Sequence, residues 1–159
     1  MRATSSLSPT TWVRGLVLVC PMPADGQPMS PDIGTVFRAV PADDQARRTL
    51  IALATRVEVA EKVEELGKAC GPVHPRAHQE ALRAIEEVRF ADKLARVRAR
   101  TLVVSAGDAY APDHLLREQV TSRLPGARHV LLPDCGHYPP LERPQQTAAL
   151  IGALLAGLG

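Results

Sequence analysis

A chain of 159 residues that is 45% hydrophobic and 23% charged is ordinary for a soluble globular protein, and it is long enough for one domain with a real core. Its formal net charge of +2, with acids and bases interspersed, forms no coherent patch for a nucleic-acid backbone, and 3% aromatic residues leave few platforms for base stacking. No apolar run approaches the ~18 residues that span a bilayer.

The first residues, Met1 to Pro9, are rich in Ser and Thr, carry one Arg and no acid, and lack the apolar centre of a secretory signal; residues 1–11 read as a disordered leader. Leu16 to Val19 is a continuous apolar run between Gly15 and Pro21, the pattern of a strand buried on both faces. A loop rich in Pro and Gly follows from Pro21 to about Pro31. The period then changes. Asp43 or Asp44 caps a helix running through Val57, with Leu50, Ile51, Leu53 and Ala54 on one face. Val59, Val63, Leu66 and Cys70 mark a second helix, stopped by Gly71 and Pro72. A third, from Pro75 to about Val88, aligns His78, Ala81, Leu82, Ile85 and Val88.

A basic stretch from Phe90 to Arg100 leads into a second strand near residues 101–106, and Asp113 is placed to cap a helix ending near Leu124. A third strand near residues 128–133 is broken by Pro133, Asp134 and Gly136. The last helix starts at Pro144 and carries Leu150, Ile151, Leu154, Leu155 and Leu158 as an apolar stripe. No internal repeat is evident. Strands separated by helices predict an α/β fold with three parallel strands. His137, in the turn after the third strand, then stands at a carboxyl end, where open α/β sheets bind ligands.

The segment Gly136-His137-Tyr138-Pro139-Pro140-Leu141-Glu142-Arg143-Pro144, with Ser105-Ala106-Gly107-Asp108-Ala109-Tyr110-Ala111-Pro112 upstream, resembles the last two strands and turns of the α/β-hydrolase superfamily. Trp12 to Pro21 resembles the strand that follows that family's nucleophile elbow, so the likeness covers residues 12–158, the C-terminal half of a full-length hydrolase. The resemblance implies a partial α/β-hydrolase fold with a helical cap of about residues 35–95 inserted after the first strand.

It also implies a catalytic pair. His137 takes the place of the general base, and Asp108, four residues before Pro112 and 29 before His137, takes that of the acid that orients the imidazole. Asp113 and Asp134 are weaker candidates for the acid, and Asp134 suits a turn. Ser105 occupies the position where the family usually has glycine. No Gly-x-Ser-x-Gly elbow, nor a similar one centred on Asp or Cys, occurs in the sequence. Ser5, Ser6, Ser8, Ser105 and Ser122 do not supply one, lacking the strained strand-to-helix turn and its oxyanion donors.

Other residues carry less. Cys135 lies two residues before His137, where the resembled turn uses its residue to support the backbone. Cys70, His74 and His78 have a spacing compatible with zinc, but Gly71, Pro72 and Pro75 interrupt any common helical face and no fourth ligand stands nearby. His114 and His129 sit in no evident arrangement. The expected parent activity is cofactor-free hydrolysis of an ester, lactone or similar small-molecule bond. The alternative is an inactive truncated paralogue, or an interaction module that self-associates or binds a partner chain through an open sheet edge at Leu16 to Val19.

Overall fold

The computed structural model describes residues 13–56, 60–69, 73–107 and 110–158. The expected leader, the ends of the first two helices at Val57, Val59 and Cys70, and Asp108 lie outside the described residues.

Three parallel strands, β1 (Gly15–Val19), β2 (Arg100–Ala106) and β3 (Arg128–Leu132), form a sheet in the order β1-β2-β3. The register pairs Leu18 with Val103 and Val103 with His129. Because β2 has a neighbour on each side and layers above and below, Thr101 to Ala106 are all buried, whereas β1 and β3 are only partly covered. Among the described residues β1 is an edge strand, although its unbroken apolar run from Leu16 to Val19 has the pattern of a strand covered on both sides.

One face of the sheet meets a core of Val103, Leu94, Leu116, Val120 and Leu124, contributed by a 3-10 turn (Ala91–Arg96), by helix α5 (Asp113–Gln119) and by the turn after it. The C-terminal helix α7 (Pro144–Ala156) packs on β1 and β2. Its end is close enough to β1 that a Cβ on Gly15 would lie 2.7 Å from Leu158 Cδ1.

Among the described residues four α-helices lie between β1 and β2: α1 (Pro31–Ala39), α2 (Asp44–Ala54), α3 (Ala60–Ala69) and α4 (Pro75–Glu87). The last three fall where periodicity puts them. Asp43 caps α2, its carboxylate accepting from the N–H groups of Gln45 and Ala46 at 2.8 and 3.2 Å. The first helix is an addition. Ser30 caps it, Pro31 opens it and Asp32 sits in its first turn, a start signal overshadowed by the Pro- and Gly-rich loop before it.

Asp113 does not cap α5. Pro112 holds that position, and the Asp113 side chain turns instead toward the sheet. The helix stops at Gln119, and a separate 3-10 turn (Thr121–Arg123) completes the way to Leu124.

Candidate active site

Backbone hydrogen bonds to one buried side chain tie the turn after β3 together. Glu142, in the short helix α6 (Pro139–Glu142), is 7% exposed. Its Oε2 accepts from the N–H groups of Gly136 and Arg56, each at 2.9 Å, and its Oε1 from that of Tyr138 at 3.2 Å. The His137 N–H, between them, donates to Ala54 O at 2.6 Å. Arg143 closes the same turn from outside, donating to Glu142 O at 2.8 Å and to Asp134 O.

These bonds bring the end of α2 against the histidine turn so closely that Gly136 has no room for a side chain. A Cβ there would stand 2.4 Å from Ala54 O, 2.7 Å from Glu142 Oε1 and 2.8 Å from Arg56 N. The turn is also tied to the loop after β2, since Gly107 N–H donates to Cys135 O at 3.0 Å.

The His137 ring is partly buried, with Nδ1 sealed from solvent. Tyr110 and Tyr138 meet it edge-on, at centroid distances of 5.8 and 5.6 Å, and Phe37 meets Tyr110 in turn at 5.7 Å. Tyr110 is fixed at its far end by donating from Oη to Leu50 O at 3.2 Å. The ring forms part of the wall of a cleft of about 440 Å³. Met29, Ile33, Phe37, Leu50, Leu53 and Ile85 supply most of its apolar wall from α1, α2, α4 and the loop before α1. A mostly apolar cleft with a few convergent polar groups is the usual form of a small-molecule site.

Asp108 lies outside the described residues. On either side of it Gly107 is bonded to the histidine turn and Tyr110 contacts the histidine ring. Asp134 is exposed in the turn after β3, and its backbone oxygen serves Arg143. Cys135 is fully buried in a small cluster with Cys20 and Ala106, a packing environment. His74 caps α4, its Nδ1 accepting from Arg76 N–H at 3.3 Å, and His78 Nε2 meets Phe37 O at 2.6 Å, so both histidines of the zinc-like spacing have other partners. Among the described residues no three His, Cys, Asp or Glu side chains gather into a metal-binding group.

Asp113 joins a different cluster. Its Oδ1 accepts from Ser105 Oγ and lies 2.8 Å from His129 Nε2, and its Oδ2 accepts from Arg117 Nε at 2.7 Å. His129 Nδ1 lies 2.6 Å from Thr121 Oγ1. Burial pushes the Asp113 carboxyl up, but hydrogen bonds from Ser105, Arg117 and His129, with the Arg117 charge, outweigh it and bring the carboxyl down to about 2.

Serine, histidine and aspartate thus meet here, yet not as a triad. A single ring nitrogen, Nε2, faces both Ser105 Oγ, at 2.8 Å, and Asp113, so the histidine does not bridge the two through opposite edges. Ser105 is also fully buried, out of reach of a substrate. The cluster fastens α5 and the following turn to the sheet. Residue types gave no hint of it, because the pairing of β2 with β3 is what sets His129 beside Ser105.

A parallel sheet flanked by helices, with a histidine and a cleft at a strand's carboxyl end, defines an open α/β protein whose ligand site lies where such sheets bind ligands. The sequence profile described as the alpha/beta hydrolase family matches residues 2–150, and the chain belongs to that family.

Similar solved structures include an esterase from Exiguobacterium antarcticum, with a TM-score of 0.76 and 17% identity, over 89% of this chain and 57% of that one. A bromoperoxidase from Bacillus anthracis matches at a TM-score of 0.75 and 14% identity, over 91% of this chain and 58% of that one. An esterase from Thermogutta terrifontis matches at a TM-score of 0.67 and 24% identity, over 91% and 56%. At these identities what is shared is the fold, and the chain spans somewhat more than half the length of each. No curated protein matches the chain. No helix among the described residues is long and apolar enough to cross a membrane.

Proposed function

We propose that this chain carries the acid-base half of a serine-hydrolase site, with His137 as general base, Asp108 as its orienting acid and the cleft beneath α1, α2 and α4 as the pocket for the substrate's apolar part. The parent reaction is hydrolysis of an ester, lactone or similar bond. The observation that carries this reading is the placement of the His137 ring in the wall of an apolar cleft at the carboxyl end of β3.

In this reading His137 accepts a proton from the attacking nucleophile and returns it to the leaving group, and then repeats the cycle with water. Its sealed Nδ1 edge suits the side that faces an acid, and the residues flanking Asp108 are held against the histidine turn. The helices between β1 and β2 act as the cap, and the apolar lining favours an acyl or alkyl group over a charged one. In such a site the nucleophile and one oxyanion donor come from a Gly-x-Ser-x-Gly elbow, which this sequence lacks, and the second donor from a separate loop.

The test pairs the chain with the elbow-bearing N-terminal half of a structural neighbour and follows turnover of an activated aryl ester. The chain alone is expected to be inactive, and the pair active only while His137 is present. Turnover by the chain alone that His137→Ala leaves unchanged overturns the assignment.

A second reading, in which the chain works by binding, is favoured by the position of β1. An edge strand offers a row of backbone groups to a second copy or to a partner supplying further strands.

A further inference from the structure

We propose that Glu142 is the positioning residue of His137, a buried carboxylate that clamps the histidine turn to the end of α2 and so fixes both the imidazole and one wall of the cleft. For its catalytic meaning this rests on the role proposed for His137; the clamp itself stands on geometry alone.

A carboxylate taken out of water is stable only when its lone pairs are satisfied. Glu142 meets that condition with three backbone N–H groups, from Arg56, Gly136 and Tyr138. Two of these residues flank His137, and the third lies two residues beyond Ala54, whose carbonyl accepts the His137 N–H. The backbone of the histidine is therefore held on both sides and at its own nitrogen. Leu50, Leu53 and Ala54 of α2 line the cleft, so the same side chain also sets how far that wall stands from the ring. Gly136 allows the close approach on which the bonds across to Ala54 and Arg56 depend.

The two carboxylate oxygens do unequal work, which makes the clamp testable in detail. In Glu142→Gln the amide oxygen takes the place of Oε2 and keeps Arg56 and Gly136, while its NH₂ group meets the Tyr138 N–H donor to donor. Reversing the amide would set the NH₂ against two donors and is worse. Glu142→Ala removes all three acceptor contacts.

The experiment is amide hydrogen exchange on the full chain by NMR, together with the carbon-bound ring-proton shifts of His137, which the flanking tyrosine rings displace. In Glu142→Gln the Tyr138 amide is expected to exchange at least about tenfold faster, with Arg56 and Gly136 changing by less than about threefold. In Glu142→Ala the amides of Arg56, Gly136, His137 and Tyr138 are all expected to accelerate by about tenfold or more and the ring-proton shifts to move, with the Val103 amide unchanged. The proposal is overturned if Glu142→Ala leaves those amides and the ring shifts as they were. It is equally overturned if exchange rises uniformly, Val103 included, since Glu142 would then serve general stability. The clamp can pass this test while His137 fails the activity test, so the two claims fail separately.

Discussion

Replacing Gly136 by alanine adds one methyl group where the backbone of α2 leaves no space. Its Cβ would lie 2.4 Å from Ala54 O and 2.8 Å from Arg56 N, both main-chain atoms that cannot swing aside as the end of a flexible side chain would. Relief requires moving the end of α2 away from the histidine turn. That motion stretches the 2.6 Å bond from His137 N–H to Ala54 O and the 2.9 Å bond from Arg56 N–H to Glu142. Overpacking of this kind costs ~1–3 kcal/mol, and weakening two hydrogen bonds without breaking them adds ~0.5 kcal/mol each, so a total loss of ~2–4 kcal/mol is expected. For a chain of this size that corresponds to a fall in Tm of roughly 5–15 °C. Thermal and urea unfolding followed by circular dichroism measure it. A Gly136→Ala variant within about 0.5 kcal/mol of the parent would refute the close packing of α2 on the turn.

Further expectations follow from the core and its charges. Leu116 is fully buried between α5 and the sheet, and Leu116→Ala should cost ~2–5 kcal/mol in urea unfolding; a cost below ~1 kcal/mol contradicts that packing. The Asp113 carboxyl is lowered to about 2, so its stabilising contribution is fully present above the unfolded value of ~3.9 and is lost as pH falls toward about 2. After discounting for solvent screening at this partly exposed group, the stability gap between the parent and Asp113→Ala should shrink by ~1 kcal/mol between pH 5 and pH 2, and a constant gap refutes the pairing. If β1 is an open edge, light scattering should detect self-association and hydrogen exchange should be fast on its outward amides. A monodisperse monomer with strong protection from Leu16 to Val19 refutes that.

The sheet was legible in the sequence because β1, β2 and β3 are short apolar runs bounded by breakers, and α2, α3, α4 and α7 because their apolar residues recur at helical spacing. Helix α1 was hidden by its neighbourhood: the Pro and Gly residues of 21–31 read as loop, although Ser30-Pro31-Asp32 is a helix start. Asp113 looked like a cap because aspartate favours that position, but Ser105 and His129 on the sheet, with Arg117 one turn along α5, claimed its carboxylate.

At the site, the placement of His137 after a strand was readable from the breakers around it and from the family likeness. The work of Glu142 was not. It acts on backbone N–H groups, which every residue but proline carries, so its partners Arg56, Gly136 and Tyr138 share no chemical signature along the chain. The Ser105, His129 and Asp113 cluster was hidden for a related reason, since strand register unites residues that have no common spacing.

The proposed acid-base pair of His137 and Asp108 can be read from proton NMR of the His137 imidazole. A carboxylate hydrogen-bonded to Nδ1–H should give a low-field, exchange-protected ring N–H signal. This signal should be present in the parent chain and in Asp113→Ala, and should disappear in Asp108→Ala and in His137→Ala. A signal that survives Asp108→Ala and vanishes in Asp113→Ala or Asp134→Ala would assign the acid elsewhere and contradict the pairing.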